Sequence, residues 1–558
     1  MDRRQFFAAW REKNEADKDV LSTATMPTHT AFAPTASLVA YNGAWTIKEV
    51  THLLRRATFG VKKTDVTSFL ALTPAQAVDV LLQPEALPAN PVNDFEGSYF
   101  GAEAIDGAAS AGADWTSTIA EGNMWYRHLS YNVWVLKNAL NQKASLLEKM
   151  TLFWSNHFGT SKNLNGALAD QRRIFKHHQI LRVNALGNVK TIVNAITKDA
   201  LMLQFLSGES NTKDSPNENY AREVQELFVV GKYPTQQYTE NDVREAAKVL
   251  TGWSFDDPYT TKFTPENHDT STKAFSAFYS NKTIVGVSGA NGGQAELDQL
   301  INMLFTPTDS AKFICRKLYR FFVQYKITAE IEVTVIAPLA TTFINNNFVI
   351  KPVLAQLFKS QHFFDMMYNQ AAIIKSPLDL YVGLMKTFKT QSFAPTALTN
   401  LFESLVSTSY QLEGVQMPIV SPPNVAGYAA YTSPLYDKYW ISTVTLPRRV
   451  NDVNDLLNSQ AYPFYDIMGF TNALDTPANP NLLISESLAL LYAIPVNTEV
   501  TNYLKSILLS NQTDDGYWTS AWLAYKANPT DPAAYGTVFT RLTNFFNYLI
   551  NLEEIHLM

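Results

Sequence analysis

The chain has 558 residues, of which 46% are hydrophobic and 17% charged, a balance typical of a folded protein with a large apolar core. Its formal net charge of −6 gives no electrostatic case for a nucleic-acid partner, because nucleic-acid binding calls for a basic surface. The single cysteine excludes an intrachain disulfide framework and any metal site built from several cysteines. No apolar run reaches about 18 residues, so no transmembrane helix is expected.

Residues 1–46 are predicted to form an N-terminal arm. The stretch 11–45 is rich in Thr, Ala, Pro and Ser and lacks a helical stripe. The chain begins MDRRQFFAAW, in which Arg3 and Arg4 precede two phenylalanines as in a twin-arginine export signal. The charged stretch REKNEADKD follows where a signal needs an apolar region. The sequence therefore favours a cytoplasmic location, with export as the alternative.

The segment SLLEKMTLFWSNHFGTS, residues 145–161, is predicted to be a helix with one apolar face. His157 lies on that face, four residues after Phe153, and Asn156 precedes it near the end of the helix, where functional sites collect. His157 is therefore a candidate catalytic residue and Asn156 a candidate binding residue. The alternative for His157 is a core histidine with one satisfied hydrogen bond.

Two adjacent histidines, His177 and His178, occur in QRRIFKHHQILR, which is predicted to be a basic amphipathic helix. Neighbouring side chains on a helix point about 100° apart, so this pair cannot chelate one metal ion together. Both histidines are predicted to lie on a solvated face.

The stretch 215–253 is predicted to be a helix–loop–helix unit at the centre of the protein. In its first helix Ser215 is expected to cap the amino terminus, with Glu218 in the capping-box position. The second helix is expected to start at a Thr239 cap, and each helix is expected to end at a glycine.

Four polar residues of the first helix are not used by caps or surface pairs, and they define what we call the carboxylate flank: Asn219, Arg222, Glu223 and Glu226. They fall beside the apolar stripe of the helix. Two carboxylates on a half-buried flank can bind a cation, or their pKa values can diverge for acid–base work. Glu223 and Glu226 are predicted to be catalytic and Asn219 and Arg222 to bind. The alternative is a structural network neutralised by Arg222 and neighbouring basic side chains.

The segment TPENHDTSTKAF, residues 264–275, is predicted to be a loop. Its polar side chains have no evident role in capping a helix or forming a turn. His268 and Asp269 are candidate catalytic residues, and Lys273 is a candidate binding residue. Binding and catalytic residues are concentrated on loops of this kind.

The chain as a whole is predicted to be mainly α, a large multi-helix orthogonal bundle with long irregular loops and at most a small β-hairpin. Residues 47–450 are predicted to form the helical core domain. Residues 451–558 are predicted to be a helical extension packed on that core.

The order of several segments resembles the domain-of-unknown-function 1800 family, over roughly residues 48 to 450. The NENYARE stretch is the most specific of them. The segments are HLLRRATFG (52–60), EKMTLFWSNHFGTS (148–161), ALGNVKTIVNAITKDALMLQFL (185–206), NENYAREVQELFVVGKYPTQQYTENDVREAAKVLTGW (217–253), NHDTSTKAF (267–275), AKFICRKLYRFFV (311–323) and SPPNVAGY (421–428). The resemblance implies a bacterial, mainly helical protein of no established activity. It also implies a neighbouring gene product of the domain-of-unknown-function 1501 family, whose members look like sulfatases or alkaline phosphatases.

Two functions follow as hypotheses. The first is an enzyme whose pocket gathers the five candidate catalytic residues for acid–base or metal-assisted hydrolysis, with the cofactor unassigned and a divalent metal as one option. The second is a non-catalytic scaffold or partner subunit for a phosphatase- or sulfatase-like protein. The sequence contains none of the common short catalytic motifs that would decide between them.

Overall fold

The computed structural model of the chain describes residues 37–93, 106, 108–110, 112–118, 121–232, 235–257, 260–388, 398–458 and 465–558. Helices account for most of this described part, so the prediction of a mainly α protein is confirmed. Within it, no helix combines the length and the apolar character that a membrane crossing requires.

The helices that precede the central unit are α1 Ile47–Ala57, α2 Lys63–Leu70, α3 Pro74–Leu81, α4 Met124–Asn141, α5 Leu147–His157, α6 Gln171–Val183, α7 Val189–Thr197 and α8 Ala200–Phe205. The central unit and the helices up to the next long gap are α9 Asn219–Glu223, α10 Glu240–Val249, α11 Gly292–Leu304, α12 Thr308–Phe322, α13 Ala329–Ile331, α14 Ala337–Asn345, α15 Ile350–Phe358, α16 Met366–Asn369 and α17 Pro377–Phe388. The remaining helices are α18 Leu398–Gly414, α19 Thr445–Asn458, α20 Ile467–Asn472, α21 Pro480–Leu491, α22 Thr498–Leu508, α23 Gly516–Ala527 and α24 Pro532–Ile550.

Other helical turns connect these elements. Two are π-helical, Val224–Val229 and Glu332–Ile336. The 3₁₀ turns are Gly208–Ser210, Pro265–Asn267, Ala277–Tyr279, Ala429–Tyr431, Tyr436–Trp440 and Glu553–His556.

Strands among the described residues form three two-stranded antiparallel ladders, where the sequence predicted at most one small hairpin. The pairs are β1 Asn163–Leu164 with β2 Ala167–Leu168, β3 Trp253–Phe255 with β4 Thr261–Phe263, and β5 Lys273–Ala274 with β6 Thr283–Ile284. The first ladder turns through Asn165 and Gly166, which both have positive φ, 51° and 80°. Asn-Gly is the preferred dipeptide of a two-residue hairpin turn, so this short ladder is specified locally.

Capping residues fix several helix starts. Thr46 and Glu49 form a capping box at α1, and Thr239 and Asp242 form one at α10, as the sequence predicted for the second helix of the central unit. The predicted boundary between core and extension, at 450/451, lies inside α19.

The core is organised around α12, whose Ile314, Leu318 and Phe322 are fully buried. This helix packs against α14, against the π-helical turn Val224–Val229 and against the turn Ala429–Tyr431. It therefore lies between the central unit on one side and the segment that follows SPPNVAGY on the other. The second half of the carboxylate flank's helix and the segment after SPPNVAGY thus both pack on α12.

Part of the predicted N-terminal arm, residues 1–36, lies outside the described residues. From residue 37 the chain runs along the segment after α15. The backbone of Tyr41 donates to the carbonyl of Lys359 at 2.8 Å, and the rings of Tyr41 and Phe364 lie 4.6 Å apart. This stretch is held on the surface of the helical body, as an arm would be.

Candidate functional site

The first helix of the central unit begins later than the sequence predicted. It starts at Asn219, and the Oδ1 atom of Asn217 accepts a hydrogen bond from the Asn219 amide at 2.9 Å. Ser215 is exposed and Glu218 makes no side-chain cap. The predicted cap at Ser215 is therefore wrong, because an Asn two residues later supplies the oxygen that a helix start needs.

A wide turn continues this helix. Residues Val224–Val229 form a π-helical turn, in which the Gln225 carbonyl accepts from the Val230 amide at 3.0 Å and from the Gly231 amide at 2.9 Å. Gly231 ends the helix with φ of 80°, as predicted for a terminal glycine. Turns of this type are frequent at functional sites, because they offset the side chains that follow them.

The two carboxylates of the flank are half-buried. Burial, followed by the nearby Glu226 carboxylate, raises the pKa of Glu223. Glu226 forms an ion pair with Lys232. Tyr238 is buried beside both carboxylates, and its hydroxyl has no hydrogen-bond partner within the described part of the chain.

The other two flank residues have structural contacts. Arg222 lies 2.7 Å from Glu240 and 3.1 Å from Glu218, so it joins the two helices of the central unit. The Asn219 side-chain amide donates to the Leu206 carbonyl at 3.3 Å. The ion pairs of Arg222 are therefore with Glu218 and Glu240, whereas Lys232 is the basic partner of Glu226.

His157 lies beneath the wide turn and has a second basic group beside it. Its Nε2 is 2.8 Å from the Phe228 carbonyl, and its Nδ1 is 3.0 Å from the Lys317 ammonium group. Burial lowers the pKa of His157 well below its usual range, and Lys317 adds to this effect. A neutral imidazole that accepts at Nδ1 and donates from Nε2 satisfies both contacts.

Lys317 was not singled out from the sequence, because it lies in an ordinary amphipathic stretch. Its Nζ also donates to the Leu227 carbonyl at 3.2 Å and lies 4.8 Å from the centre of the Phe313 ring. Among the described residues no carboxylate pairs with it, and burial lowers its pKa to about 7. Lys317 is thus close to half-deprotonated at neutral pH.

Lys317 should make stability depend on pH in a defined window. The pKa of lysine is about 10.4 in the unfolded chain and about 7 in the folded protein. Between these values the unfolded state binds the extra proton, so stability rises with pH, by at most about 1.4 kcal/mol per pH unit from this group. We therefore expect Lys317→Met to be more stable than wild type near pH 7 and to lose that advantage towards pH 10.

The measurement is urea unfolding of both proteins between pH 6.5 and 10. Lys143→Met, at an exposed lysine, is the matched control and should parallel wild type at every pH. A constant difference between Lys317→Met and wild type across this range would show that Lys317 keeps its ordinary pKa.

His268 belongs to a different group, in which a buried carboxylate bridges two basic side chains. Its Nε2 lies 3.0 Å from Oε1 of Glu296, and Lys273 donates to Oε2 of the same carboxylate at 2.7 Å. The backbone amide of Val287 donates to Glu296 at 2.7 Å. All three side chains are almost fully buried. We call His268, Lys273 and Glu296 the buried triad.

The buried triad ties together the loop of His268, the strand β5 and the helix α11. Asp269 lies at its edge, where its Oδ1 accepts from the Ser271 amide at 2.7 Å and its carbonyl accepts from Lys273. Burial opposes ionisation of Asp269, but the hydrogen bonds from Ser271 outweigh it and lower the pKa of that carboxyl. Glu296 is the member that the sequence did not reveal.

Asn156 faces away from its neighbour His157. Its Oδ1 accepts from the Tyr428 amide at 2.8 Å, which anchors the end of the segment SPPNVAGY. Gly427 packs directly against Asn156, and with φ of 93° it has a backbone conformation that favours glycine. Asn156 therefore positions a loop.

The predicted site residues thus fall into separate groups: the carboxylate flank, His157 with Lys317, the buried triad with Asp269, and Asn156 with the 421–428 segment. No described hydrogen bond or ion pair joins one group to another. Within the described residues, no group of three or more His, Cys, Asp or Glu side chains is arranged to hold a metal ion. The catalytic roles of these residues stay predictions.

The prediction that His177 and His178 face solvent is wrong. Both side chains are buried. His177 contacts Asp199 at 2.9 Å, and His178 accepts from or donates to the Tyr131 hydroxyl at 2.7 Å. The two rings point in different directions, as expected, but each finds a partner in the core.

A further cluster of charged side chains surrounds a cavity between α5, α17 and the turn Tyr436–Trp440. This cavity, which we call the central pocket, has a volume of about 20 Å³, room for roughly one water molecule. Lys149 of α5 forms a buried ion pair with Asp379 of α17. Ser376 donates to the second oxygen of Asp379 at 2.8 Å. Burial lowers the pKa of Lys149, and Asp379 opposes that effect.

Asp437 is the second carboxylate of the central pocket. Its Oδ2 accepts from the Ile374 amide at 2.7 Å, whereas its buried Oδ1 has no hydrogen-bond partner in the described part of the protein. Burial raises the pKa of Asp437 above its usual range, although the Ile374 amide, Lys438 and Arg56 oppose this effect. An unpartnered polar atom inside a protein is costly, and an ordered water, an ion or a catalytic role can account for it.

Aromatic rings complete the walls of the central pocket. Tyr431 lies 5.4 Å from Phe321 and 6.2 Å from Trp440, measured between ring centres. The pocket therefore combines one ion-paired carboxylate, one carboxylate whose pKa is raised by burial, and flat apolar surfaces. The sequence contained one signal for it: Asp379 is a lone charge in the apolar run SPLDLYVGLM.

The fold and this pocket define a mainly helical protein with a small central cavity lined by both acidic and basic side chains. The chain belongs to the family described as "Protein of unknown function (DUF1800)", whose model matches residues 52–534. The match continues beyond residue 450 into the predicted C-terminal extension. No curated protein and no solved structure matches the chain.

Proposed function

We propose that this protein is an enzyme of the acid–base, hydrolytic kind, with Asp437 and Asp379 of the central pocket as its reacting carboxylates. The observation that carries the proposal is the unpartnered, buried Oδ1 of Asp437 in a pocket that also holds an ion-paired carboxylate. Pairs of carboxyl groups whose surroundings favour opposite protonation states are typical of acid–base sites.

The two carboxylates take different roles. Asp437, with its raised pKa, is the proton donor to a leaving group. Asp379 is held by Lys149 and Ser376, two donors that suit a carboxylate acting as a base towards water. The cavity between the two carboxylates has room for roughly one water molecule, the size of the nucleophile in a hydrolysis.

The carboxylate flank is the competing site for the same chemistry. Glu223 and Glu226 are two carboxylates with one raised pKa, but Glu226 is neutralised by Lys232, whose side chain is 48% exposed. The central pocket is therefore the better candidate than the carboxylate flank for acid–base catalysis. Variants of both sites belong in one experiment.

The experiment measures hydrolysis of chromogenic nitrophenyl esters, phosphates, sulfates and glycosides by the purified full chain. On any substrate that is turned over, we expect Asp437→Asn to lower kcat/KM by about 100-fold or more, because the proton donor is lost. The double variant Glu223→Gln/Glu226→Gln should retain the wild-type rate. Circular dichroism and thermal unfolding confirm that both variants are folded.

The reverse pattern, with Asp437→Asn active and the double variant inactive, would transfer the site to the carboxylate flank. If both variants keep the wild-type activity, neither site takes part in the reaction. Absence of hydrolysis of every substrate class by wild type would count against the enzyme proposal.

The second candidate is a partner subunit for a phosphatase- or sulfatase-like protein. It is favoured by exposed aromatic side chains near the end of the chain: Tyr535 and Phe539 stack at 5.5 Å on α24, and they are 40% and 38% exposed. Exposed apolar surface of this kind is typical of protein interfaces. Co-purification of the two proteins, weakened by Tyr535→Ser/Phe539→Ser, would support this function.

A further inference from the structure

A groove separate from the central pocket lies between α1 and α21. Its volume is about 550 Å³, within the range of small-molecule sites. One wall is apolar and includes Ile484, Leu488 and Val496. Leu488 and Val496 are only partly buried, so they present apolar surface to the groove.

The opposite wall carries basic side chains from one face of α1. Lys48, His52 and Arg55 line the groove at spacings of four and three residues, which place them on the same side of the helix. Among the described residues, no Asp or Glu side chain lines the groove. The groove is therefore apolar along one wall and cationic along the other.

The charge on this wall is fixed by Arg55 and Lys48. Arg55 donates to the Ala489 carbonyl at 2.6 Å and to the Thr51 hydroxyl at 3.2 Å, and within the described residues no carboxylate pairs with it. Burial lowers the pKa of Arg55 to about 9, so it is protonated at neutral pH. Burial also lowers the pKa of His52, which is therefore neutral and contributes only its hydrogen-bonding capacity. Lys48 is exposed at the rim.

We propose that this groove binds an amphiphilic organic anion, a carboxylate with a hydrocarbon chain. The carboxylate faces Lys48 and Arg55, which have no acidic partner in the described part of the chain, and the hydrocarbon chain lies along Leu488 and Val496. An apolar ligand without charge would leave the cationic wall uncompensated, and an inorganic anion would leave the apolar wall exposed. This inference does not depend on the proposed hydrolytic function.

The test is a fluorescence titration of the full chain with cis-parinaric acid, a fluorescent long-chain carboxylate. We expect saturable binding at one site. Ser485→Trp places a large ring in the groove from an exposed position of α21 and should abolish binding. Ser520→Trp, at an exposed serine of α23 outside the groove, is the matched control and should bind as wild type does.

The charge of the ligand is tested separately. Lys48→Gln, a surface change that preserves folding, should weaken binding of the acid by about 3-fold, the size expected of an exposed ionic contact. The methyl ester of the same acid should bind more weakly than the acid and should be insensitive to Lys48→Gln. Equal binding of acid and ester, or undiminished binding by Ser485→Trp, would overturn the proposal, as would titration without saturation.

Discussion

Replacing Glu296 by glutamine is expected to lower the free energy of unfolding by about 3–5 kcal/mol, the cost of leaving a buried charge without its partner. Glu296 is fully buried and lies 2.7 Å from Lys273 and 3.0 Å from His268. Glutamine fills the same space but carries no charge. The buried ammonium group of Lys273 would then lose its partner at 2.7 Å and retain Asp269, whose Oδ1 lies 3.7 Å away.

Urea unfolding at neutral pH measures this loss. Asp298→Asn, an exposed change on the same helix, is the matched control and should alter stability by less than about 0.5 kcal/mol. The double variant Lys273→Met/Glu296→Leu should recover most of the loss, because it removes both buried charges together. A Glu296→Gln variant as stable as wild type would contradict the claim that the charges of the triad are buried away from water.

Replacing Lys149 by methionine should have an effect of the same size, about 3–5 kcal/mol, at the central pocket. The side chain of Lys149 is buried, pairs with Asp379 and lies 4.7 Å from the centre of the Phe59 ring. Methionine keeps the aliphatic contacts and removes the positive charge. The carboxylate of Asp379 then keeps the hydrogen bond from Ser376 but loses its ion-pair partner.

The same urea experiment with Lys359→Met provides the comparison. Lys359 pairs with Asp79 at 2.6 Å on the surface, where the two side chains are 30% and 53% exposed. Breaking such an exposed pair is expected to cost no more than about 1 kcal/mol. Similar losses in Lys149→Met and Lys359→Met would contradict the claim that burial makes the Lys149–Asp379 pair important.

Capping motifs and terminal glycines predicted the elements whose ends depend on neighbouring residues. The capping box of Thr239 and Asp242 was predicted because these two residues have the three-residue spacing of that motif. Gly231 was predicted as a helix end for a similar reason. The Asn165-Gly166 dipeptide is an equally local signal for the β1–β2 hairpin, which was not among the predicted elements.

The candidate site was predicted less well, because its contacts join residues far apart in the chain. Lys149 and Asp379 are 230 residues apart, and nothing near either residue indicates the other. Glu296 is 28 residues from His268, on a helix that looks ordinary in sequence. A charged residue within an apolar run was the one usable signal, and it points to Asp379.

The histidine pair shows why a polar helix face can be misjudged. His177 was predicted to face solvent because its helix is basic and amphipathic. In the folded protein Asp199 lies 2.9 Å from it, so the polar face is covered by polar partners from other elements. Periodicity distinguishes polar from apolar faces, but it does not show which polar faces are covered.

The wide turn Val224–Val229 also bears on how this protein can change in evolution. Its i to i+5 hydrogen bond, from the Val230 amide to the Gln225 carbonyl, accommodates one residue more than an α-helical turn would. The loss of a single codon here would restore a regular helix without a break. The carbonyls of Leu227 and Phe228, which contact Lys317 and His157, lie within this turn and would be displaced by such a deletion. Homologues that differ by one residue in this segment are therefore the natural variants in which to look for a changed arrangement around His157 and Lys317.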